Sequence, residues 1–452
     1  MSRWMMVCGR MGVWSMVVLG FTGCELLDIE KDDETGDPDV DDTVDDDGDG
    51  GSDLDDVDVS AEGAPAVEWH VGEGTSGEEH VHEGLQTADG GYVAIGHTED
   101  SSGSRTTDML VVKVDADGDL EWSKRLGTSG KMDVGIAILE LEDGYLAAGG
   151  LWADGSQQSA LVRLDADGDT VWTRRYHDGG SSAIRGLEHM SDGNIAVTGY
   201  TDGFEDGFVF ISEESTGFLM VVDESGASSM SVELPVPQGT KVRQTADGGF
   251  AVLSTAWTFA DGADVQNASL VKLDAAGSLE WQQTYGDSAF NQAFDFDMAT
   301  DGSFVIAGHT TGFGATNWDC LMLKVAANGT LEWAQRFGQP RGYAAEFIHD
   351  ECYGVRVDVD GNYVMAGGTG DEYEYSASGH ATGPSDEWKG LLIKVSSDGE
   401  PMWMEVYGDG PDEGNNATEF LSLTRDGGYL LFNDTDSAGE AEPNNFGFMK
   451  LE

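Results

Sequence analysis

Leu110-Val-Val-Lys-Val-Asp-Ala-Asp-Gly-Asp-Leu-Glu-Trp122 consists of two short apolar runs joined by an Asp-rich turn. The chain repeats it from Leu161 to Trp172, Leu270 to Trp281, Leu321 to Trp333 and Leu391 to Trp403. Apolar runs flanking an Asp/Gly turn signal a β-hairpin, because aspartate and glycine tolerate the positive φ of tight turns. Upstream of each copy lies a second landmark, an Asp-Gly turn leading into an apolar strand. Its copies begin at Asp89, Asp143, Asp192, Asp247, Asp301, Asp360 and Asp426, as in Asp89-Gly-Gly-Tyr-Val-Ala-Ile-Gly96 and Asp301-Gly-Ser-Phe-Val-Ile-Ala-Gly308. Their spacings are 54, 49, 55, 54, 59 and 66 residues.

Each unit therefore reads as four short strands, A to D, with Asp-Gly between A and B. A four-stranded repeat of this length is the signature of a propeller blade, which buries its faces only by stacking into a ring. The expected fold is all-β, a seven-bladed β-propeller of four-stranded blades over residues 64–452. The last unit ends at Phe446-Gly-Phe-Met-Lys-Leu-Glu452 with no tryptophan strand after it, while an orphan Val67-Glu-Trp69-His-Val-Gly72 precedes the first. That orphan is expected to close the ring as the outer strand of the final blade, covering an open sheet edge. Blade three is degenerate, with Met230-Ser-Val-Glu-Leu-Pro235 in the tryptophan strand's place.

The repeats resemble those of secreted and surface bacterial β-propellers, the SBBP-type class. Their Leu-Asp-Ala-x-Gly-x-x-x-Trp stretches are also similar to the docking repeats of quinoprotein propellers. Those enzymes generally have eight blades and dedicated cofactor ligands, and this sequence offers neither. The resemblance implies the fold and leaves the activity open.

Residues 1–23 pair Arg3 and Arg10 with an apolar run, Met11 to Phe21, too short to span a bilayer and of signal-peptide length. Thr22-Gly23-Cys24 resembles the bacterial lipobox, with Phe21 in place of the usual leucine. This implies cleavage before Cys24, lipidation of its thiol and, with Glu25 following, an outer-membrane lipoprotein facing the periplasm or the cell surface. Ordinary secretion with Cys24 as a free thiol is the alternative. Residues 24–63 read as a disordered acidic tether: positions 24–60 hold 18 acidic residues and one lysine, so like charges keep the chain extended.

The formal net charge is −62, and the body contributes −47 of it from residue 61 onward. Such a surface repels nucleic acid, which is excluded as a partner, and favours solubility as a monomer. Of four cysteines, Cys8 leaves with the signal and Cys24 takes lipid. Cys320 and Cys352 remain, in adjacent blades, as a disulfide or as two buried thiols.

The A–B and C–D turns are short and stereotyped, whereas the B–C segments vary, from His97–Asp108 to Thr369–Lys389. The irregular face is the expected binding face. Ten residues before each Asp-Gly aspartate stand Glu79, Asp133, Ser182, Pro237, Asn291, Asp350 and Asn416. The oxygen donors Glu79, Asp133, Asn291, Asp350 and Asn416 suit Ca²⁺ at a channel mouth, or simply satisfy loop backbone groups. The loop aromatics Trp152, Trp257, Trp318, Trp388, Tyr373 and Tyr375 could stack on a sugar or anchor a protein, or else pack between blades.

His80-Val-His82-Glu83 puts two histidines on one strand face, a zinc-like pair with no third ligand evident. His97 and His309 occupy equivalent repeat positions. The Asp-Ala-Asp-Gly-Asp runs at Asp115 and Asp165 read as hairpin turns rather than ion loops. No nucleophile elbow, zinc-protease or phosphate-loop motif is present. The expected function is a non-enzymatic binding or assembly scaffold for an envelope protein or polysaccharide. The alternative is a propeller enzyme, quinoprotein-like or glycan-cleaving through paired carboxylates.

Overall fold

The computed structural model describes residues 59–452 except 76, 100–105, 178–179, 204–214, 261–262, 339, 344–346, 372–386, 409–413 and 437–443. Cys24, Tyr373 and Tyr375 lie outside the described residues, as do the signal segment and nearly all of the tether.

The described strands form seven antiparallel sheets of four, a seven-bladed β-propeller. Blade 1 comprises Glu79–Gln86, Tyr92–Glu99, Thr107–Val114 and Leu120–Leu126. Blades 2 to 6 follow in the same order along the chain. Blade 7 takes Asn416–Leu423, Tyr429–Thr435 and Asn445–Leu451 from the C-terminus and its outer strand, Val67–Glu73, from the N-terminus. The closing strand is antiparallel to Asn445–Leu451, with Trp69 opposite Lys450 and Glu73 opposite Phe446. The segment before it crosses the outer strand of blade 6, where Ser60 O accepts from Met404 N (3.2 Å) and Pro65 O from the Tyr407 hydroxyl (2.9 Å).

Two side-chain devices recur. A lysine on strand C is buried and tied both to the Asp-Gly aspartate and to the glutamate before the outer-strand tryptophan. Lys113 meets Asp89 (3.2 Å) and Glu121 (2.6 Å), and Lys272 meets Asp247 (3.0 Å) and Glu280 (2.9 Å). Lys450 meets Asp426 (3.0 Å) and, in the closing strand, Glu68 (3.6 Å). An ammonium buried beside apolar strands requires such partners, which explains the charged letters in an apolar repeat.

The second device locks neighbouring blades. Five of the six outer-strand tryptophans meet the strand-B aromatic of the next blade: Trp69 with Tyr92 (5.7 Å between centroids), Trp122 with Tyr145 (5.6 Å), Trp281 with Phe304 (6.4 Å), Trp333 with Tyr363 (6.0 Å) and Trp403 with Tyr429 (6.2 Å). Four of the five are edge-to-face, a favoured arrangement for aromatic quadrupoles. Degenerate blade 3 has neither partner: Met230 replaces the tryptophan on its outer strand and Ile195 the aromatic on its second.

The Asp-rich C–D turns are capped hairpins. Asp115 Oδ1 accepts the backbone N–H of Asp117 and Asp119, both at 2.9 Å, and Gly118 takes φ 85°. Asp165 does the same for Asp167 and Asp169. The carboxylate therefore serves its own turn.

Cys320, on the third strand of blade 5, is bonded to Cys352 on the first strand of blade 6 (S–S 2.03 Å), inside a cluster with Val305, Met322, Phe337 and Met365. The bridge spans 32 residues and staples two blades. Reduction is expected to lower the unfolding free energy by roughly 3 kcal/mol. Denaturant titration with and without reductant measures this, and coincident curves would refute it. A double-mutant cycle on Trp122→Ala and Tyr145→Ala is expected to show a coupling of about 1 kcal/mol. A coupling of zero would remove the inter-blade lock.

Candidate functional site at the channel mouth

One backbone irregularity builds the centre of the ring. In six of the seven innermost strands the pairing with strand B shifts register around a single residue: His82, Ile136, Arg185, Phe294, Tyr353 and Glu419. An extra residue in one strand of a pair is a β-bulge, which re-aims the side chain it carries. Each of these residues stands seven before its Asp-Gly aspartate, and Thr240 holds that place in blade 4. With Lys241 and Phe420, the seven line one small cavity of about 40 Å³. Every blade contributes, so the cavity lies on the ring axis.

The glycine that ends most strand-B repeats belongs to the same device. A Cβ at Gly96 would lie 1.9 Å from His80 O, one at Gly149 2.0 Å from Val134 O, one at Gly308 1.7 Å from Gln292 O and one at Gly367 2.1 Å from Glu351 O. Blade 4 has no such shift, and Leu253 and Ser254 stand where five other blades have glycine; blade 7 has Asn433 there and keeps the shift.

Below the cavity, toward the A–B turns, the channel is filled by ion pairs. Lys241 of blade 4 bonds Glu83 of blade 1 across the axis, and Arg356 of blade 6 bonds Asp295 of blade 5. Arg243 lies 3.9 Å from Asp295, 3.7 Å from Asp297 and 3.6 Å from Glu188. Phe420 carries Lys241 at 4.9 Å and Arg356 at 4.5 Å from its ring centroid, both within cation–π range. Burial opposes ionisation of Asp295, but Arg356, Lys241 and Arg243 outweigh it and hold the carboxyl below the usual range.

Above the cavity, toward the B–C loops, histidines and carboxylates form an arc over blades 5, 6, 7 and 1. His80 Nδ1 donates to Asp434 Oδ2 at 2.5 Å, and His82 Nε2 lies 3.2 Å from His97 Nδ1. The His80 ring is 4.5 Å from that of His82 and 5.3 Å from that of His97. Desolvation works against protonation of His80, yet the Asp434 carboxylate raises it to about 9, so it is an imidazolium at neutral pH. Burial, aided by the His80 charge, pushes His97 down to about 3 and leaves it neutral.

On the other side of the arc, His309 Nε2 meets Gln292 Oε1 (2.8 Å), His349 Nδ1 meets Glu351 Oε1 (3.3 Å), and the Tyr353 hydroxyl donates to Glu351 Oε2 (2.5 Å). Between them, burial pushes Glu419 up to about 8; His80 opposes the shift, and Asp434 and Glu351 reinforce it.

The loop aromatics divide. Trp318 packs edge-on against His309 (4.8 Å), joining the loop face to the arc. Trp152 is half-buried with Lys131 over its ring at 4.4 Å. Trp257 is also half-buried, while Trp388 is only 6% exposed and packs on Gly368 and Gly370.

Glu79, Asp133, Asn291, Asp350 and Asn416 are each fully buried. Glu79 Oε1 accepts from Thr75 (2.6 Å) and Thr98 (2.7 Å), Asp133 from the N–H of Thr128 and Trp152 (both 2.5 Å), Asn291 from Thr310 (2.6 Å) and Asn416 from Thr435 (2.7 Å). These bonds are local, mostly to the end of the neighbouring strand B. Among the described residues, the one group of three His, Cys, Asp or Glu side chains with converging ligand atoms is His80, Glu419 and Asp434.

Neither a family model nor a curated protein matches this chain. Solved structures similar to it include the WD40 β-propeller domain of Doa1 (10% identity, 86% of this chain and 97% of that one, TM-score 0.49). Another is the WD40 domain of Neurospora crassa Pan2 (10% identity, 82% and 89%, TM-score 0.48). A third is a protein of unknown function from Dyadobacter fermentans DSM 18053 (12% identity, 86% and 99%, TM-score 0.45).

Asp295→Asn removes the anion facing two arginines and is expected to cost about 3–5 kcal/mol of stability. Chemical denaturation reads this, and a loss under 1 kcal/mol would show that the channel ion pairs are replaceable packing.

Proposed function

We propose that this chain is a lipid-anchored binding propeller of the bacterial secreted type, held at the outer membrane through Cys24 and its acidic tether. Its irregular B–C face engages a protein or polysaccharide of the cell envelope without turning it over. The observation that carries the reading is the asymmetry of the axis. Seven equivalent positions on one repeated backbone hold His82, Ile136, Arg185, Thr240, Phe294, Tyr353 and Glu419. The lysine clamps and tryptophan locks, which serve stability, keep nearly one residue type around the ring. Diverse side chains on a rigid, repeated frame suit recognition, and Trp318 connects that axis to the variable loops.

Affinity capture from solubilised envelope with the full chain tests the reading. Trp152→Ala with Trp318→Ala should weaken retention of the captured component at least tenfold. Leu279→Ser, an exposed outer-strand residue away from the face, should leave it unchanged. Equal retention by both variants would sink the face assignment. Cys24→Ser should move the protein from the membrane to the soluble fraction, and continued membrane association would refute the anchor.

A further inference from the structure

We propose that the channel mouth binds a divalent first-row transition cation of the zinc class through His80 Nδ1 of blade 1 and the carboxylates of Glu419 and Asp434 of blade 7. The ligand atoms of these three side chains lie within 4.8 Å of one another, with Asp434 buried and the other two half-buried. Read along the chain, His80 and His82 lacked a third ligand. Ring closure supplies it by setting the innermost strand of blade 1 against blade 7, some 350 residues away in sequence.

The two carboxylates are held by different features. Asp434 Oδ1 accepts the Val81 N–H at 2.8 Å, which fixes the carboxylate across the blade junction and leaves Oδ2 facing His80. Glu419 is the bulged residue of its strand and lines the axial cavity. The His82 and His97 rings pack beside His80 and are bonded to each other (3.2 Å). Orientation of ligands by outer hydrogen bonds of this kind is typical of protein metal sites.

The donor set selects the cation. Imidazole nitrogen with two carboxylates suits zinc and its neighbours, whereas Ca²⁺ and Mg²⁺ prefer all-oxygen shells. Ligation displaces the His80 Nδ1 proton that otherwise goes to Asp434, and any proton on Glu419, to solvent, leaving two carboxylates whose charge a dication balances. The cavity of about 40 Å³ beside Glu419 has room for a bound water as a further ligand. This inference does not depend on a docked partner, and its test uses metal alone.

Full-length chain stripped with chelator would be titrated with Zn²⁺ in millimolar Mg²⁺, which occupies surface carboxylates. One Zn²⁺ per chain at micromolar or tighter affinity is expected, with a raised melting temperature. Co²⁺ in its place should give the intense visible bands of a low-symmetry nitrogen–oxygen site, unlike the weak spectrum of hydrated Co²⁺ on exposed acids. Glu419→Gln and Asp434→Asn should each weaken Zn²⁺ binding at least tenfold, while Asp117→Asn and Asp167→Asn, in exposed turns, should not. Absence of Zn²⁺ binding above Mg²⁺ competition, or equal binding by Glu419→Gln and Asp434→Asn, would overturn the site. Should either variant fail to fold, the Co²⁺ spectrum of the wild-type chain decides alone, and a hydrated-ion spectrum would refute it.

Discussion

Ring closure is the constraint on which the rest depends. A four-stranded blade has an unpaired edge and two apolar faces, and neither is tolerable in water. Stacking covers the faces, but the end blades of an open stack would each leave one exposed. The N-terminal strand Val67–Glu73 hydrogen-bonds to Asn445–Leu451, so the first and last blades meet through residues of the same sheet. Trp69 then packs on Tyr92 as Trp122, Trp281, Trp333 and Trp403 pack on the aromatic of the next blade, and the final junction is made like those. A closed ring has a fixed centre, and the mouth exists because closure brings residues 80 and 434 together.

The repeat divides its labour along each blade. At the outer edge, Asp-Gly aspartate, strand-C lysine, glutamate and tryptophan form one connected unit that serves stability. At the inner edge the bulge lifts one residue out of the sheet's alternation. In five blades a strand-B glycine lies against an innermost-strand carbonyl where a Cβ would not fit, while the bulged side chain varies; blade 7 makes the same shift with Asn433 in that place. Blade 4 has neither the shift nor that glycine.

Blade number, strand order and closure were legible because they depend on local turn chemistry repeated seven times. The aspartates of the turns were readable as caps for the same reason. The channel was not read, because it depends on a phase slip rather than on a residue type. Counting ten residues back from Asp-Gly found Glu79, Asp133 and their equivalents, which bond the end of the neighbouring strand B, whereas the axis is lined at seven. A signal was present: Ile184 and Leu187, Ala293 and Phe296, and Cys352 and Val355 bury in common clusters although three residues apart. An unbroken strand would send such pairs to opposite faces. Blade 7's contribution to the histidine pair had no sequence signal, since Glu419 and Asp434 approach His80 only in three dimensions.

The charge distribution joins these observations. The chain has 23 lysines and arginines against 85 acids. Arg185, Lys241, Arg243 and Arg356 lie around the axis, and Lys113, Lys272 and Lys450 are buried in clamps. Spending bases inside leaves the exterior more acidic than composition alone suggests. Such a field concentrates cations at the surface and repels anions, and a narrow mouth focuses it further. Within the channel Lys241, Arg243 and Arg356 face Glu83, Glu188, Asp295 and Asp297, so the charges below the cavity compensate one another, while a cation drawn to the mouth meets carboxylates and imidazoles. The first converging donors such a cation meets are those of His80, Glu419 and Asp434, above a floor whose carboxylates are already engaged by lysine and arginine.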